Sequence, residues 1–154
     1  MYKRQVYTLP EVWEDEFVSI QERYKRGVFA LDTALFLHDL TDRTPHKFHM
    51  AFPYGYNTSS PKAAGILCSC KKEPYYSLGI ALVDTPAGNT VRAYNAEKTL
   101  CEILKPISHT DIQIITDAFK RYAGRKDKNI PLLSEYAHQL RVEKRLRPYL
   151  EVLL

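Results

Sequence analysis

The sequence predicts an α+β fold: a small antiparallel sheet with N-terminal helices and a C-terminal helical bundle. The middle of the chain holds short runs of alternating apolar and polar residues separated by turn formers, a pattern typical of strands. The last third repeats apolar residues at the spacing of a helix face. With 154 residues, 45% hydrophobic and 26% charged, the chain is long enough to bury one core. We therefore expect one main domain.

Two helices are predicted before the sheet. Residues 11–26 carry acidic side chains in the first turns and basic ones in the last, an order that complements the helix dipole. The apolar face of this helix holds Trp13, Phe17, Ile20 and Tyr24. A second helix over residues 32–40 is apolar nearly all round, and we expect Asp32 to cap it. Residues 6–10, with the sequence V-Y-T-L-P, predict a strand that ends at a proline.

The central strands form the predicted antiparallel sheet. They are expected at residues 47–53, 66–70, 76–84 and 90–94. The last two flank the turn formers at residues 86–89 and so predict a hairpin.

Three capped helices and a final amphipathic helix are predicted after the sheet. Asn95 and Asn129 are expected to cap two of them, and Ser108 with Asp111 resembles a capping box for another. The final helix has an apolar face formed by Val142, Leu146, Tyr149, Leu150 and Leu153. Pro148 lacks a backbone donor and is expected to kink or restart this helix.

The polar faces of the C-terminal helices are basic, and they are the candidate binding surface. The candidates are Lys120, Arg121, Arg125, Lys126, Arg141, Lys144, Arg145 and Arg147. The formal net charge of the chain is +4. A concentrated positive surface suits phosphates or an acidic protein, although cations on helix faces can also serve solubility alone.

The sequence contains few residues arranged as an active site would need them. The Ser-hydrolase, P-loop, zinc-protease and dinucleotide-binding motifs are absent, and the glycines are too scattered to cradle a phosphate. Asp84 with Glu97 and Lys98 is the one loose candidate for a magnesium-dependent nuclease site, and it is kept as the alternative. Glu97 has a simpler explanation as a dipole partner in the first turn of a helix.

No metal ion or cofactor is expected. Cys68 and Cys70 form a C-x-C pair without the second pair that a tetrahedral zinc site needs, and the odd cysteine number suits a reducing compartment. His38, His46 and His49 share no helix face and are expected to be structural. Because the sequence shows neither a spanning apolar segment nor a signal-peptide pattern, we expect a cytoplasmic protein.

Four strings, taken together and in order, resemble the AbiEi family, the antitoxins of bacterial abortive-infection (type IV) toxin-antitoxin systems. They are V-Y-T-L-P at residues 6–10, T-A-L-F-L-H-D-L-T-D-R-T-P at 33–45, Y-N-A-E-K-T-L-C-E-I-L at 94–104, and the ending Y-L-E-V-L-L. The resemblance covers residues 6–154. It implies an N-terminal winged helix-turn-helix that binds the operon's own promoter, followed by a domain that opposes a nucleotidyltransferase-like toxin.

The resemblance also implies how this chain is divided. Residues 1–10 would be the remnant of the winged helix, with V-Y-T-L-P as the strand that closes its wing, and residues 11–154 the antitoxin domain. The family's preceding helices have no counterpart here, so residues 1–5 are expected to replace the upstream sequence. Major-groove recognition of operator DNA would then depend on the missing part.

The expected function is that of a non-catalytic antitoxin in phage defence. It would counter the cognate nucleotidyltransferase-like toxin and, in full-length form, repress its own operon by binding operator DNA. The alternatives are the nuclease-like domain with Asp84, Glu97 and Lys98, and a purely structural basic interaction domain.

Overall fold

A computed structural model of the protein describes residues 15–153. The predicted strand at residues 6–10, the predicted remnant of a winged helix and the first positions of the predicted first helix lie outside the described residues. Within them, the helix α1 spans Glu16–Arg23. Asp15 caps it, because its carboxylate accepts a hydrogen bond from the Phe17 N–H at 3.0 Å.

The centre of the described chain is a sheet of five strands with the order β3-β2-β1-β5-β4. The strands are β1 Val28–Phe29, β2 His49–Pro53, β3 Leu67–Lys71, β4 Ile80–Asp84 and β5 Thr90–Tyr94. The further helices are α2 Leu31–Leu37, α3 Ser59–Ala63, α4 Ala96–Ile103, α5 Ile112–Ala123, α6 Ile130–Gln139 and α7 Glu143–Leu153. The fold is therefore α+β, with helices at both ends of the sheet, as the sequence predicts.

The prediction of an antiparallel sheet is wrong, because the sheet is mixed. β1 pairs with β5 in parallel, and β2 pairs with β3 in parallel, while β1–β2 and β4–β5 are antiparallel. The parallel pair β2–β3 is made possible by α3, which lies between the two strands in the chain and returns it to the same end of the sheet.

Several local predictions are confirmed and two caps are wrong. The side chains of Asn95 and Asn129 accept hydrogen bonds from backbone N–H groups in the first turns of α4 and α6. Asp32 lies inside the first turn of α2 and accepts from its neighbour Thr33, so Ala30 takes the cap position. Ser108 does not join a capping box, since its hydroxyl donates to the Ile103 carbonyl. Asp111 alone caps α5.

The core has three connected parts. One face of the sheet packs Phe29, Met50 and Phe52 against α1, and the other packs Val28, Ala51 and Tyr94. The largest cluster joins α4, α5, α6 and α7; its fully buried members include Leu100, Phe119, Leu133 and Leu146. All residues of α4 are buried, so this helix connects the sheet with the C-terminal helices.

None of the described helices is both long and apolar enough to cross a membrane. Pro148 lies inside α7, and the helix continues through it to Leu153.

Candidate functional site

The cations of α7 lie on the solvent-facing side of the helix, as its amphipathic pattern predicts. Val142 and Leu146 are buried in the C-terminal core, and Tyr149 stacks on Phe119 of α5 with ring centroids 4.4 Å apart. These contacts fix which side of α7 faces inward. Lys144, Arg145 and Arg147 are exposed as a result.

Two of the predicted candidates, Arg121 and Arg125, bind other residues of the chain. The Arg121 Nε lies 2.9 Å from Asp117 Oδ2, and its Nη2 lies 3.9 Å from Asp42 Oδ2. The Arg125 guanidinium donates to both carboxylate oxygens of Asp127 at 2.8 Å and to the His38 carbonyl at 2.8 Å. The side-chain hydrogen bond with Asp127 raises the pKa of Arg125 and lowers the pKa of Asp127.

The remaining candidates form what we call the basic surface. Its members are Lys120, Lys126, Arg141, Lys144, Arg145 and Arg147, all exposed. No acidic side chain of residues 15–153 forms an ion pair with any of them. Unpaired cations at an exposed surface keep their full attraction for phosphates or carboxylates of a partner. The structure thus divides the predicted set into two structural arginines and a basic surface.

A cleft of about 830 Å³ lies between β4 and the C-terminal ends of α2 and α5. Arg121 and Arg125 line it, together with three aspartates, Asp39, Asp84 and Asp127. The cleft therefore has mixed charge, and none of the six residues of the basic surface lines it.

The residues of the nuclease alternative are not brought together. In the β4–β5 hairpin Asp84 pairs with Thr90, whereas Ile80 pairs with Tyr94, which leads into α4. Four residues of strand, about 13 Å, thus separate Asp84 from the end of the hairpin where α4 begins. Glu97 is buried and accepts a hydrogen bond from the Tyr122 hydroxyl at 2.6 Å. Asp84 thus lies at the turn end of the hairpin, while Glu97 lies in α4, which follows the other end, and its carboxylate is already bonded to Tyr122.

Lys98 is fully buried and has a structural environment. Its ammonium donates to the carbonyls of Tyr75 and Leu78 at 2.8 Å each, and its Nζ lies 3.7 Å from the centre of the Tyr94 ring. Burial lowers the pKa of Lys98 to about 8, an effect that the carboxylate of Glu102 opposes. Lys98 therefore joins α4 to the segment before β4.

Gly79, which precedes β4, fits closely against Lys98, and replacing it tests this packing. Its φ is +82°, and an added Cβ would lie 2.9 Å from the Lys98 Cβ. We expect Gly79→Ala to lower the free energy of unfolding by about 2 kcal/mol, measured by urea denaturation. Gly88→Ala is the matched control, because Gly88 has a φ of +90° and no atom within 4 Å of the added Cβ. It should lower the stability by about 1 kcal/mol; equal effects of the two substitutions would contradict the packing argument.

A buried ionic cluster around Glu102 was not predicted from the sequence. Lys71 Nζ of β3 lies 2.8 Å from Glu102 Oε1, and Lys105 Nζ lies 3.9 Å from Oε2. The Lys71–Glu102 contact is an ion pair, and Glu102 Oε1 accepts no hydrogen bond of suitable geometry. The sequence does show three charged residues, Glu97, Lys98 and Glu102, within the eight residues of α4, and the structure buries all three. Their partners are distant in sequence and could not be assigned from spacing.

The two half-buried histidines, His38 and His49, have hydrogen-bond partners within the fold. His38 Nε2 lies 2.8 Å from the Tyr94 carbonyl, and His49 Nε2 lies 2.7 Å from the Ser69 hydroxyl. Cys68, Cys70 and Cys101 are free thiols. Among residues 15–153, no three His, Cys, Asp or Glu side chains are close enough together to hold a metal ion.

The arrangement offers an exposed basic surface on packed C-terminal helices, and a separate cleft of mixed charge. Such a surface can attract an anionic partner, and the packed helices fix where its charges lie. No protein-family model matches the chain, and a search of curated proteins gives no significant match.

Proposed function

We propose that the chain is the non-catalytic antitoxin domain of an abortive-infection system, and that it counters a nucleotidyltransferase-like toxin. The residue strings that resemble the AbiEi family are the reason for this class of function. The observation that carries the proposal in the structure is the basic surface, whose cations have no acidic partner among the described residues.

The charges of the basic surface support a binding role over solvation alone. Two nearby arginines are paired: Arg121 of α5 with Asp117, and Arg125 of the loop after α5 with Asp127. Lys120 and Lys126 alternate with these pairs along the chain and stay unpaired and exposed. The unpaired cations add positive potential at a solvent-facing surface, where it acts on an approaching partner.

The nuclease alternative loses its main support. Asp84 lies away from Glu97, and both Glu97 and Lys98 are engaged in buried contacts. No other observation favours a reaction, so the proposal assigns no catalytic residue.

Growth rescue tests the function directly. The 154-residue chain is co-expressed with the nucleotidyltransferase-like protein encoded beside it, in a host that the toxin alone arrests. Restored growth is the expected result. Continued arrest with folded chain present in the cell would reject the proposal that this domain protects by itself.

Charge reversal tests the basic surface. We expect the triple variant Lys120→Glu, Lys144→Glu and Arg145→Glu to weaken partner binding at least tenfold, or about 1.4 kcal/mol, because three attractive interactions become repulsive. Binding is measured by titration with the toxin and, separately, with duplex DNA at two salt concentrations. For a DNA partner, the slope of log affinity against log salt should become shallower by about 0.9 for each phosphate that the variant no longer neutralises.

The matched control reverses as much charge on another part of the surface. Lys25→Glu, Lys47→Glu and Lys62→Glu change exposed lysines outside the C-terminal helices. Weakening by the first triple alone supports the proposal. If rescue and both titrations are the same for the two triples, the basic surface serves only solvation.

A further inference from the structure

Two free thiols, Cys68 and Cys70, lie on the same face of the edge strand β3. In the register of the sheet Cys68 lies beside Met50 and Cys70 lies beside Phe52 of β2. Alternate residues of a strand point to the same face. Cys68 packs against the core cluster that contains Met50 and Phe52, so both thiols lie on the side of the sheet that α1 covers.

The two thiols are reached from solvent to different degrees. Cys70 is exposed, whereas Cys68 is partly buried. The Cys68 thiol donates a long hydrogen bond of 3.5 Å to the Ile66 carbonyl. A thiol is a weak donor, so this contact is easily exchanged for a stronger bond to sulfur. A ligand that binds sulfur can therefore enter at Cys70 and reach Cys68.

The spacing of the two thiols decides what they can bind. Same-face positions two residues apart on a strand are separated by about 6.6 Å. A disulfide needs Cβ atoms within about 4.5 Å of each other, so the strand holds Cys68 and Cys70 too far apart for one. A metal ion in line between two thiolates, with metal–sulfur bonds of about 2.3 Å, needs sulfur atoms about 4.6 Å apart. Rotation of the two side chains toward each other meets that distance.

The ligand set selects the kind of metal ion. Among residues 15–153, no three His, Cys, Asp or Glu side chains are close enough together to hold one ion, so the four ligands that zinc prefers are not assembled. Two thiolates are soft ligands, which favour Cu(I) among the common metal ions. Cu(I) has a filled d shell and is stable with two thiolate ligands in line. The pair on β3 therefore suits this ion.

The charge near the thiols also fits a thiolate site. Cu(I) between two thiolates carries a net charge of about −1, which a nearby cation stabilises. The exposed Lys62 of α3 lies close enough to act on Cys68: burial raises the pKa of the Cys68 thiol, and the Lys62 charge opposes that rise. A cation beside a cysteine favours the thiolate, which is the form that binds metal.

We propose that Cys68 and Cys70 form a two-coordinate site for Cu(I). Binding forms two copper–sulfur bonds, releases one proton from each thiol to solvent, and leaves the oxidation state of the metal unchanged. The site lies on the strand at the opposite edge of the sheet from β4, and it shares no residue with the basic surface or the cleft. It adds a metal-binding activity to the proposed antitoxin function and does not depend on it.

Anaerobic competition for Cu(I) tests the site in the full chain. The chain is titrated into the Cu(I) complex of bicinchoninate, whose absorbance reports the copper that the chelator retains. An excess of reduced glutathione is present, because it competes with binding by any single thiol. We expect the wild type to withdraw one Cu(I) per chain. Cys70→Ser should weaken binding by about tenfold or more, because it removes one of two ligands at an exposed position.

The other two cysteines complete the set of variants. Cys68→Ser should weaken binding as Cys70→Ser does, and Cys101→Ala, the matched control, removes a thiol outside the pair and should keep the wild-type affinity. A wild type that withdraws no copper would overturn the proposal, and so would a Cys70→Ser variant of unchanged affinity. One Cu(I) shared by two chains, seen as a dimer in size-exclusion chromatography, would also overturn it. The readout needs neither the toxin nor DNA, so the antitoxin function and this site can fail separately.

Discussion

Replacement of Glu102 by alanine should lower the free energy of unfolding by about 3 kcal/mol, because it removes the buried anion between several cations. The Glu102 side chain is 4% exposed, and it faces Lys71 at 2.8 Å and Lys105 at 3.9 Å. It is also the carboxylate that most opposes the lowered pKa of Lys98. Without it, like charges remain around a buried helix and must be solvated or repel one another.

The measurement is urea denaturation of the wild type and the variants at neutral pH. Glu102→Gln keeps the shape and a polar carbonyl, and we expect it to destabilise the protein less than Glu102→Ala does. Glu135→Ala is the matched control, because Glu135 is an exposed glutamate of α6 whose side chain accepts a hydrogen bond from Gln139 one turn later. Its effect on stability should stay within about 0.5 kcal/mol. A destabilisation below about 1 kcal/mol for Glu102→Ala would show that the cluster has little energetic value.

The helical part of the fold could be predicted because its information is local. Asn95 and Asn129 cap their helices through side-chain bonds that involve residues within one turn. The apolar repeat of α7 likewise identifies its buried side from spacing alone. Periodicity and caps are properties of a single segment, and a sequence shows them directly.

The strand order could not be predicted because it depends on distant partners. β1 contains only two residues, too few for any periodicity, yet it lies at the centre of the sheet. It is fully buried and pairs with β5 in parallel, although about sixty residues separate the two strands in the sequence. The prediction of an antiparallel sheet treated consecutive strands as antiparallel neighbours, whereas β2 and β3 are consecutive but parallel, and β1 pairs with the distant β5.

For the candidate site, too, the sequence predicts the local features and not the contacts between distant residues. Spacing on α5 and α7 identified the exposed cations correctly, since exposure follows from the buried face. It could not show that Arg125 is held by the His38 carbonyl, because that contact joins separate elements. Ionic partners across the fold therefore decide which of the predicted cations are available to a partner.

Acid should destabilise the protein between about pH 6.5 and pH 4 through His49. Burial, with a smaller contribution from the Lys71 charge, lowers the pKa of His49 to about 4, while Glu102 opposes the shift. The folded state keeps His49 neutral in this window, whereas the unfolded state protonates it below about 6.5. The unfolded state then binds more protons, so stability falls as the pH falls. The destabilisation that this one group can contribute is about 3 kcal/mol.

The variant His49→Gln should remove most of this contribution while keeping a hydrogen-bonding side chain beside Ser69. We expect the free energy of unfolding, measured by urea denaturation at intervals from about pH 7 to pH 4.5, to depend less steeply on pH than in the wild type. Some slope should remain, because burial also lowers the pKa of His38. His46→Gln, at an exposed position, is the matched control and should follow the wild-type curve. Parallel pH curves for His49→Gln and the wild type would mean that His49 does not stay neutral inside the fold, and that its contact with Ser69 opens to water before the protein unfolds.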